Sequence, residues 1–463
     1  MSLTADEHYT EQDGETYDSN GKRVWRAGSL VYDRKGLVKL FGWLYVGQFT
    51  FWLENLALPM LFPLLMRMKG FNNAEIGSLW AIFPLGALIL FPVIGTLSDR
   101  TRTRWGRRRP WDGLTTPIWF IGLIMLPFVE DGNYYQALGC MILIGFAGAG
   151  SNVLNAFYND VVPPELMGRF NAGMRMLGSI GGLLVNLVAL RLFDSAPVMV
   201  FLSIAVIGFC GEMAMLYFVK EGKYPPPPPK TSIAKTVGMF LREGFANRYI
   251  ILLWLTLGMT ALGGPVMAIY FNNFITDDVN GLGYSSTQLG YMGAIGTALS
   301  LLLILPAGWF VDKFGPKKIW MWGGGLVGVS NILMFFFAKD MVSATILYTI
   351  YATVNILMIA TLLPVMYSFI PKDKFGQLNG SNQIVTRVLQ IGGAVMVGGL
   401  ITFAGEDYRA AFLFGGVAYL LSPIFMWLML KQPWPYGKLQ TSMHPDGSSG
   451  VAREEAQGWS DRT

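Results

Sequence analysis

Charge is what this chain has least of. Only 14% of its 463 residues are Asp, Glu, Lys or Arg, against roughly 25% in an ordinary soluble domain. Histidine is nearly missing: the two present, His8 and His444, lie in the hydrophilic ends. That argues against chemistry built on a His base or a multi-His metal site. The two cysteines, Cys140 and Cys210, sit inside apolar stretches, so there is no disulfide framework and no reading of redox compartment. The first 36 residues contain no apolar run of the signal-peptide kind.

What is present is hydrophobicity. Apolar residues make up 52% of the chain, and mean hydropathy is +0.42. Apolar runs of roughly twenty residues, the length that crosses a bilayer as helix, recur about twelve times. Their centres fall near Val46, Leu85, Ile121, Ile144, Leu184, Val206, Leu257, Leu301, Val327, Val354, Val395 and Tyr419. Continuous apolarity without period-two alternation selects helices over a barrel. Roughly eighteen Lys and Arg fall in the even-numbered loops between spans against about five in the odd ones, which places both termini in the cytoplasm. The net charge of +5 therefore reflects topology rather than a nucleic-acid partner.

The expected organisation is a tail over 1–36, a six-helix bundle over 37–219, a central loop over 220–248, a second bundle over 249–432 and a tail over 433–463. The central loop carries five consecutive prolines, Pro225 to Pro229, a stiff extended spacer. Behind them Ile233 to Phe245 reads either as an amphipathic surface helix or as solvated linker. The halves echo each other. Gly95-Thr-Leu-Ser-Asp99 after span 2 recurs as Gly308-Trp-Phe-Val-Asp312 after span 8. Pro163, Glu165, Gly168 and Asn171 recur in register as Pro371, Asp373, Gly376 and Asn379. Parallel repeats of this kind build transporters with a site between the halves. The glycine runs at 145–150, 178–182 and 323–325 lie in apolar spans without a following Lys-Ser/Thr, so they read as helix-packing surfaces rather than phosphate loops.

The loop Asp99-Arg-Thr-Arg-Thr-Arg-Trp-Gly-Arg-Arg-Arg-Pro-Trp111 holds six arginines. Together with the Gly-x-x-x-Asp elements it resembles the major facilitator superfamily. Within it, the wording is similar to the glycoside–pentoside–hexuronide symporters of the melibiose-permease group and to the sucrose transporters. The resemblance implies two six-helix bundles rocking around a cavity lined by spans 1, 4, 7 and 10. It implies gating roles for Asp99, Arg100, Arg107, Arg108, Asp160, Glu165, Arg169, Asp312 and Asp373, which otherwise serve as topology anchors. The melibiose-type sodium site is not expected, because Gly95 and Asn152 stand where that group carries acids. No other cofactor is expected, and proton coupling or uncoupled transport is what this leaves.

Ionisable groups inside spans are costly and point to function. Glu54 in span 1 is a lone carboxylate that would carry a coupling proton, accept sugar hydroxyls or pair structurally with an arginine. Asp99, Arg175 and Arg387 are the other candidates for coupling, the two arginines being alternatively placed to reach the interface. Glu212 in span 6 reads as structurally paired. Three polar trios each follow one helical face: Gln48, Trp52 and Asn55; Asn152, Asn155 and Asn159; Tyr348, Tyr351 and Asn355. Amides, a carboxylate and aromatic rings supply what a sugar needs; interhelical hydrogen bonding is the competing explanation. Span 7 adds Tyr270, Asn272 and Asn273 near its outer end.

The expected protein is thus all-α, with twelve transmembrane helices in two pseudo-symmetric bundles. It would be a monomer in a bacterial inner or plasma membrane, moving a sugar or glycoside, such as a disaccharide, with a proton by alternating access. The alternatives are an uncoupled facilitator or exporter of another polar metabolite, or a receptor that does not transport. Nothing in the motifs indicates an enzyme.

Overall fold

The computed structural model describes residues 10–12, 15–17, 21–224, 226, 233–371 and 374–433. The spacer prolines other than Pro226 and the expected gate residue Asp373 lie outside the described residues.

Among the described residues, twelve helical passes run up and down through one layer. Spans 1 to 3 are Arg34–Met68, Asn73–Arg100 and Arg109–Phe128. Span 4 starts as Tyr134–Ala147, breaks into a tight turn at Gly148–Gly150, and continues as Ser151–Val161. Spans 5 and 6 are Pro164–Phe193 and Pro197–Phe218. In the second half, spans 7 to 10 are Arg248–Thr276, Ser286–Phe314, Pro316–Phe337 and Met341–Phe369. Span 11 is Phe375–Phe403 and span 12 is Arg409–Leu430. All but the interrupted span 4 are, by length and apolarity alone, long enough to cross a membrane. Each expected span centre falls inside one of them, as hydropathy requires. Span 1 begins and span 12 ends on the same side, called here the termini side; the opposite one is the far side.

Local chemistry sets the ends. Spans 2, 8 and 10 open on the far side with reciprocal caps, Asn72 with Glu75, Ser285 with Gln288 and Asp340 with Ser343. Prolines inside spans, such as Pro59, Pro63 and Pro84, are tolerated where neighbouring helices satisfy the freed backbone. The glycine runs are packing surfaces. A Cβ on Gly86 would strike the backbone of Gly145, so spans 2 and 4 touch main chain to main chain. Gly178 lies under the Trp52 indole, and Gly323 lies against Met358.

Spans 1 to 6 pack mainly with one another, and spans 7 to 12 likewise. The halves meet along two seams, span 2 with span 11 and span 5 with span 8. Spans 5 and 7 each contain a π-helical turn, at Val185–Ala189 and Val266–Tyr270.

The N-terminal tail is not plain coil. Strands β1 Thr10–Gln12, β2 Glu15–Tyr17, β3 Arg23–Ala27 and β4 Leu30–Tyr32 form an antiparallel meander. Ala27, Leu30 and Tyr32 join a core cluster with Phe157, Phe170, Met215 and Val219 from spans 4, 5 and 6 and the end of span 6. The Ser29 hydroxyl accepts the Lys223 N–H at 2.6 Å. The amphipathic segment forms helix Ile233–Gly244. Its Gly244 lies against Ser381 of span 11, and its carbonyl accepts the Trp254 indole N–H.

Candidate functional site

Between the halves lies a cavity of about 670 Å³. It reaches Phe375, the first residue of span 11, and Met366, near the end of span 10. It therefore runs from the middle of the layer toward the termini side. The first half contributes Trp80, Phe83, Trp119, Asn55 and prolines, a largely aromatic wall. The second half contributes the polar wall: Asn379, Asn382, Gln383, Thr386, Arg387 and Gln390 of span 11, with Asn355 and Tyr419. The six span-11 residues step by three, one, three, one and three, which is a single helical face. Arg387 Nη1 donates to Gln390 Oε1 at 2.9 Å.

A second, much smaller void of about 30 Å³, room for a water or two, opens inside the first half. It shares Asn55, Phe83 and Trp119 with the large cavity, so these three form a common wall. Glu54 of span 1, Asp112 of span 3 and Glu212 of span 6 line it. All three are buried, and the Glu54 and Glu212 carboxyl groups face each other. Thr116 donates its hydroxyl to Glu212 Oε2 at 3.1 Å. Among the described residues none of the three has a Lys, Arg or His at ion-pair distance. Among the described residues one oxygen each of Glu54 and Asp112 has no hydrogen-bond partner, and the Trp119 indole faces Glu54.

Hydrogen bonds and ion pairs between the halves gather on the far side. Arg67 at the end of span 1 binds Asp277, just past span 7, through Nε at 2.8 Å and Nη2 at 2.7 Å. It also reaches Glu406 at 3.5 Å. Asn73 donates to Glu406, and the Ala74 N–H to Thr402. Tyr270 donates its hydroxyl to the Ala394 carbonyl at 2.8 Å and also reaches the Asn73 carbonyl at 3.4 Å. Along the other seam Asn186 donates to Thr297 at 3.3 Å and lies against Gly293. Asp277 also accepts from Tyr408 and from the Val279 and Asn280 N–H groups. Burial alone would push its pKa up, but these donors and Arg67 outweigh burial and hold it below its ordinary value.

On the termini side the arginine-rich loop is tied into the first half. Arg108 reaches Ser98 at 2.6 Å, Asp99 at 2.5 Å and Asp160 at 3.5 Å. Arg107 grips Asp160 with two nitrogens and lies 4.2 Å over the Tyr224 ring. Glu221 accepts the N–H groups of Arg107, Arg108 and Arg109 at 2.7–2.9 Å. The echo in the second half is not equivalent, because Asp312 is exposed.

Of the residues singled out from sequence, Asn55, Asn355 and Arg387 line the large cavity, and Glu54 and Asn55 the small one. Arg387 stands twelve residues into span 11, about 18 Å along the helix, where its side chain lines the large cavity. Gln48 is buried facing Tyr158, and Trp52 covers Gly178. Tyr348 stacks on Phe271 with ring centres 4.9 Å apart, and Tyr351 faces Tyr419. These four lie within the bundles because the cavity is bounded by other faces of spans 1 and 10. Asn155 and Asn159 are exposed on span 4, which also carries Asn152; Arg169 and Arg175 are exposed on span 5. Glu165 pairs with Arg23 of β3 at 3.5 Å, and Arg100 ends span 2. Glu212, read as structurally paired, is bonded by Thr116 and lines the small void with Glu54 and Asp112. Sequence reasoning did not single out Asp112 or the other polar residues of span 11, apart from Asn379 as a repeat echo. The latter were visible as an i, i+3, i+4, i+7, i+8, i+11 pattern.

The Major Facilitator Superfamily model matches residues 44–386 and 266–455. An uncharacterised symporter of Synechocystis sp. is 28% identical over 145 residues, 29% of this chain. The 4-hydroxybenzoate transporter PcaK of Pseudomonas aeruginosa is 24% identical over 300 residues, 58% of this chain. The matches span 27% and 64% of those relatives' own lengths. A solved D-xylose–proton symporter superposes with a TM-score of 0.60 at 17% identity, covering 87% of this chain and 98% of that one. With a family model running over most of its length and a fold shared end to end with a solved transporter, the chain belongs to the Major Facilitator Superfamily of membrane transporters.

Proposed function

We propose that the protein is a secondary transporter that carries a sugar or glycoside through the central cavity by alternating access, in symport with a proton. The observation that carries this reading is the pairing of two neighbouring spaces, an aromatic-and-amide cavity and a carboxylate cluster, behind one shared wall. Trp80, Phe83 and Trp119 offer faces for the CH side of a sugar ring, and the span-11 amides offer donors and acceptors for its hydroxyls. The D-xylose–proton symporter of similar fold fits that substrate class.

Glu54, Asp112 and Glu212 form the proton site. A hydrogen bond between two carboxyl groups needs a proton on one of them, and three negative charges gathered without a cation repel one another. Movement of Asn55 or Trp119 on substrate binding would reach the cluster directly. In this conformer the far side is sealed, and the termini side, where the basic loops lie, would be cytoplasmic. The 4-hydroxybenzoate relative favours a second reading, a facilitator or exporter of another polar ring compound.

The test is uptake of radiolabelled glycosides into proteoliposomes with and without an imposed pH gradient. Wild type should accumulate substrate when the inside is alkaline. Glu54→Gln should abolish accumulation while sparing counterflow. Unchanged pH-driven accumulation in that variant refutes the proton role, and absence of counterflow with every sugar refutes the substrate class.

A further inference from the structure

Arg387 is the only charged residue among the described residues that line the central cavity. Its named hydrogen bond is to a neutral amide, Gln390. Among the described residues no carboxylate lies within 4 Å of its guanidinium. The nearby acids belong to the other space, behind Asn55, Phe83 and Trp119. An arginine keeps its charge in proteins, and a cation in the middle of a membrane layer without a counter-ion is costly. A carboxylate that arrives and leaves with each transport cycle gives that cation both a counter-charge and two acceptors, where a neutral hydroxyl gives an acceptor alone.

We propose that the substrate is a ring compound bearing one carboxylate, and that Arg387 receives that carboxylate. This rests on the reading of the central cavity as the transport site. The charge count selects a monoanion, because the lining offers one cation; a phosphate ester, with up to two charges, would leave one uncompensated. The planar guanidinium grips a carboxylate through two parallel N–H bonds, which also fixes its orientation. With the carboxylate held there, the other ring substituents fall among Thr386, Gln383 and Asn382 along the same face. The opposite ring face meets Trp80, Phe83 and Trp119 across the cavity. A hexuronide satisfies every one of these groups; a benzoate satisfies the arginine and the aromatics only.

The experiment uses the full chain, purified in detergent, and measures binding by tryptophan fluorescence for two matched pairs. Methyl β-D-glucuronide is compared with methyl β-D-glucoside, and benzoate with benzyl alcohol. The glucuronide should bind roughly thirtyfold more tightly than its neutral twin, the effect of a charge-assisted pair. Arg387→Gln should bring that ratio close to one, and Arg387→Lys should keep part of it. The wild-type ratio alone is decisive if either variant folds poorly. A benzoate preference with neither glycoside bound upholds Arg387 as a carboxylate site and refutes the sugar reading. Equal binding of glucuronide and glucoside upholds the sugar reading and overturns the proposal. No preference within either pair overturns it as well.

Discussion

Replacing Arg67 with Gln should open the far side. The guanidinium spans the halves, from the end of span 1 to Asp277 and Glu406. The Asp277 side chain is 5% exposed and that of Arg67 27%, so the pair lies between two reference cases. Breaking a fully buried pair costs about 3–5 kcal/mol, and an exposed one about 0–1 kcal/mol. Gln keeps one donor, which leaves a loss of about 2 kcal/mol. Because Arg67 and its partners sit on opposite halves, the whole loss falls on the sealed conformer. Two kcal/mol is roughly a thirtyfold shift in the ratio of sealed to open molecules. Gly264 lines the cavity with open space where a Cβ would stand. Gly264→Cys in a Cys140→Ser, Cys210→Ser background therefore reports access. An impermeant maleimide applied from the far side should label it about ten- to thirtyfold faster when Arg67 is replaced. An unchanged rate would show that Arg67 does not hold the seal, and that the glycine-backed seams hold it alone.

The same assay checks the pH dependence. Asp277 is held below its ordinary value of 3.8, so its contribution is fully present above that value and disappears as pH falls through the lowered one. Labelling should stay flat from neutral pH to about pH 5; acceleration in that range would mean that another group controls the seal. Gly293→Ala, whose methyl would strike Asn186 across the span 5–8 seam, should also speed labelling. Gly86→Ala, clashing with Gly145 within the first half, should lower the melting temperature and leave labelling unchanged. Glu221→Ala removes the acceptor of three N–H groups and should cost about 2–3 kcal/mol; hydrogen exchange at the Arg107–Arg109 amides should accelerate, and unchanged protection would refute the anchoring role.

How much of this was legible follows from where each signal resides. The passes were legible because crossing a membrane is a property of composition, and eleven of them stand as long apolar runs. The break in span 4 was not, since Gly148 and Gly150 are also packing glycines against Trp119 and Thr115. The polar trios on spans 1, 4 and 10 share their periodicity with residues that merely pack, as Gln48 and Tyr348 do. Span 11 carries a longer stripe of the same period, on a helix outside the four that the family resemblance places around the cavity. Glu54 and Glu212 stand singly along the chain, and Asp112 carries no signal of its own there. They become a cluster only when spans 1, 3 and 6 converge, and no spacing along the chain encodes that. The strands of the tail were hidden by their polarity, because half of β3 faces outward and only Val24 and Ala27 turn in.

Those strands also impose an order on biosynthesis. β3 and β4 leave the ribosome ahead of span 1, yet several groups that hold them come much later: Glu165 for Arg23, Lys223 for Ser29, Val219 for the apolar cluster. At about 5–20 residues per second, roughly 10–40 seconds separate the making of the hairpin from the arrival of its last partner. During that interval Leu30, buried in the finished molecule, has the span-1 side chains Leu37 and Leu40 beside it but lacks the part of its cluster that comes from spans 4, 5 and 6. A hairpin made before span 1 thus settles only after span 6 is finished, and its docking marks the completion of the first half.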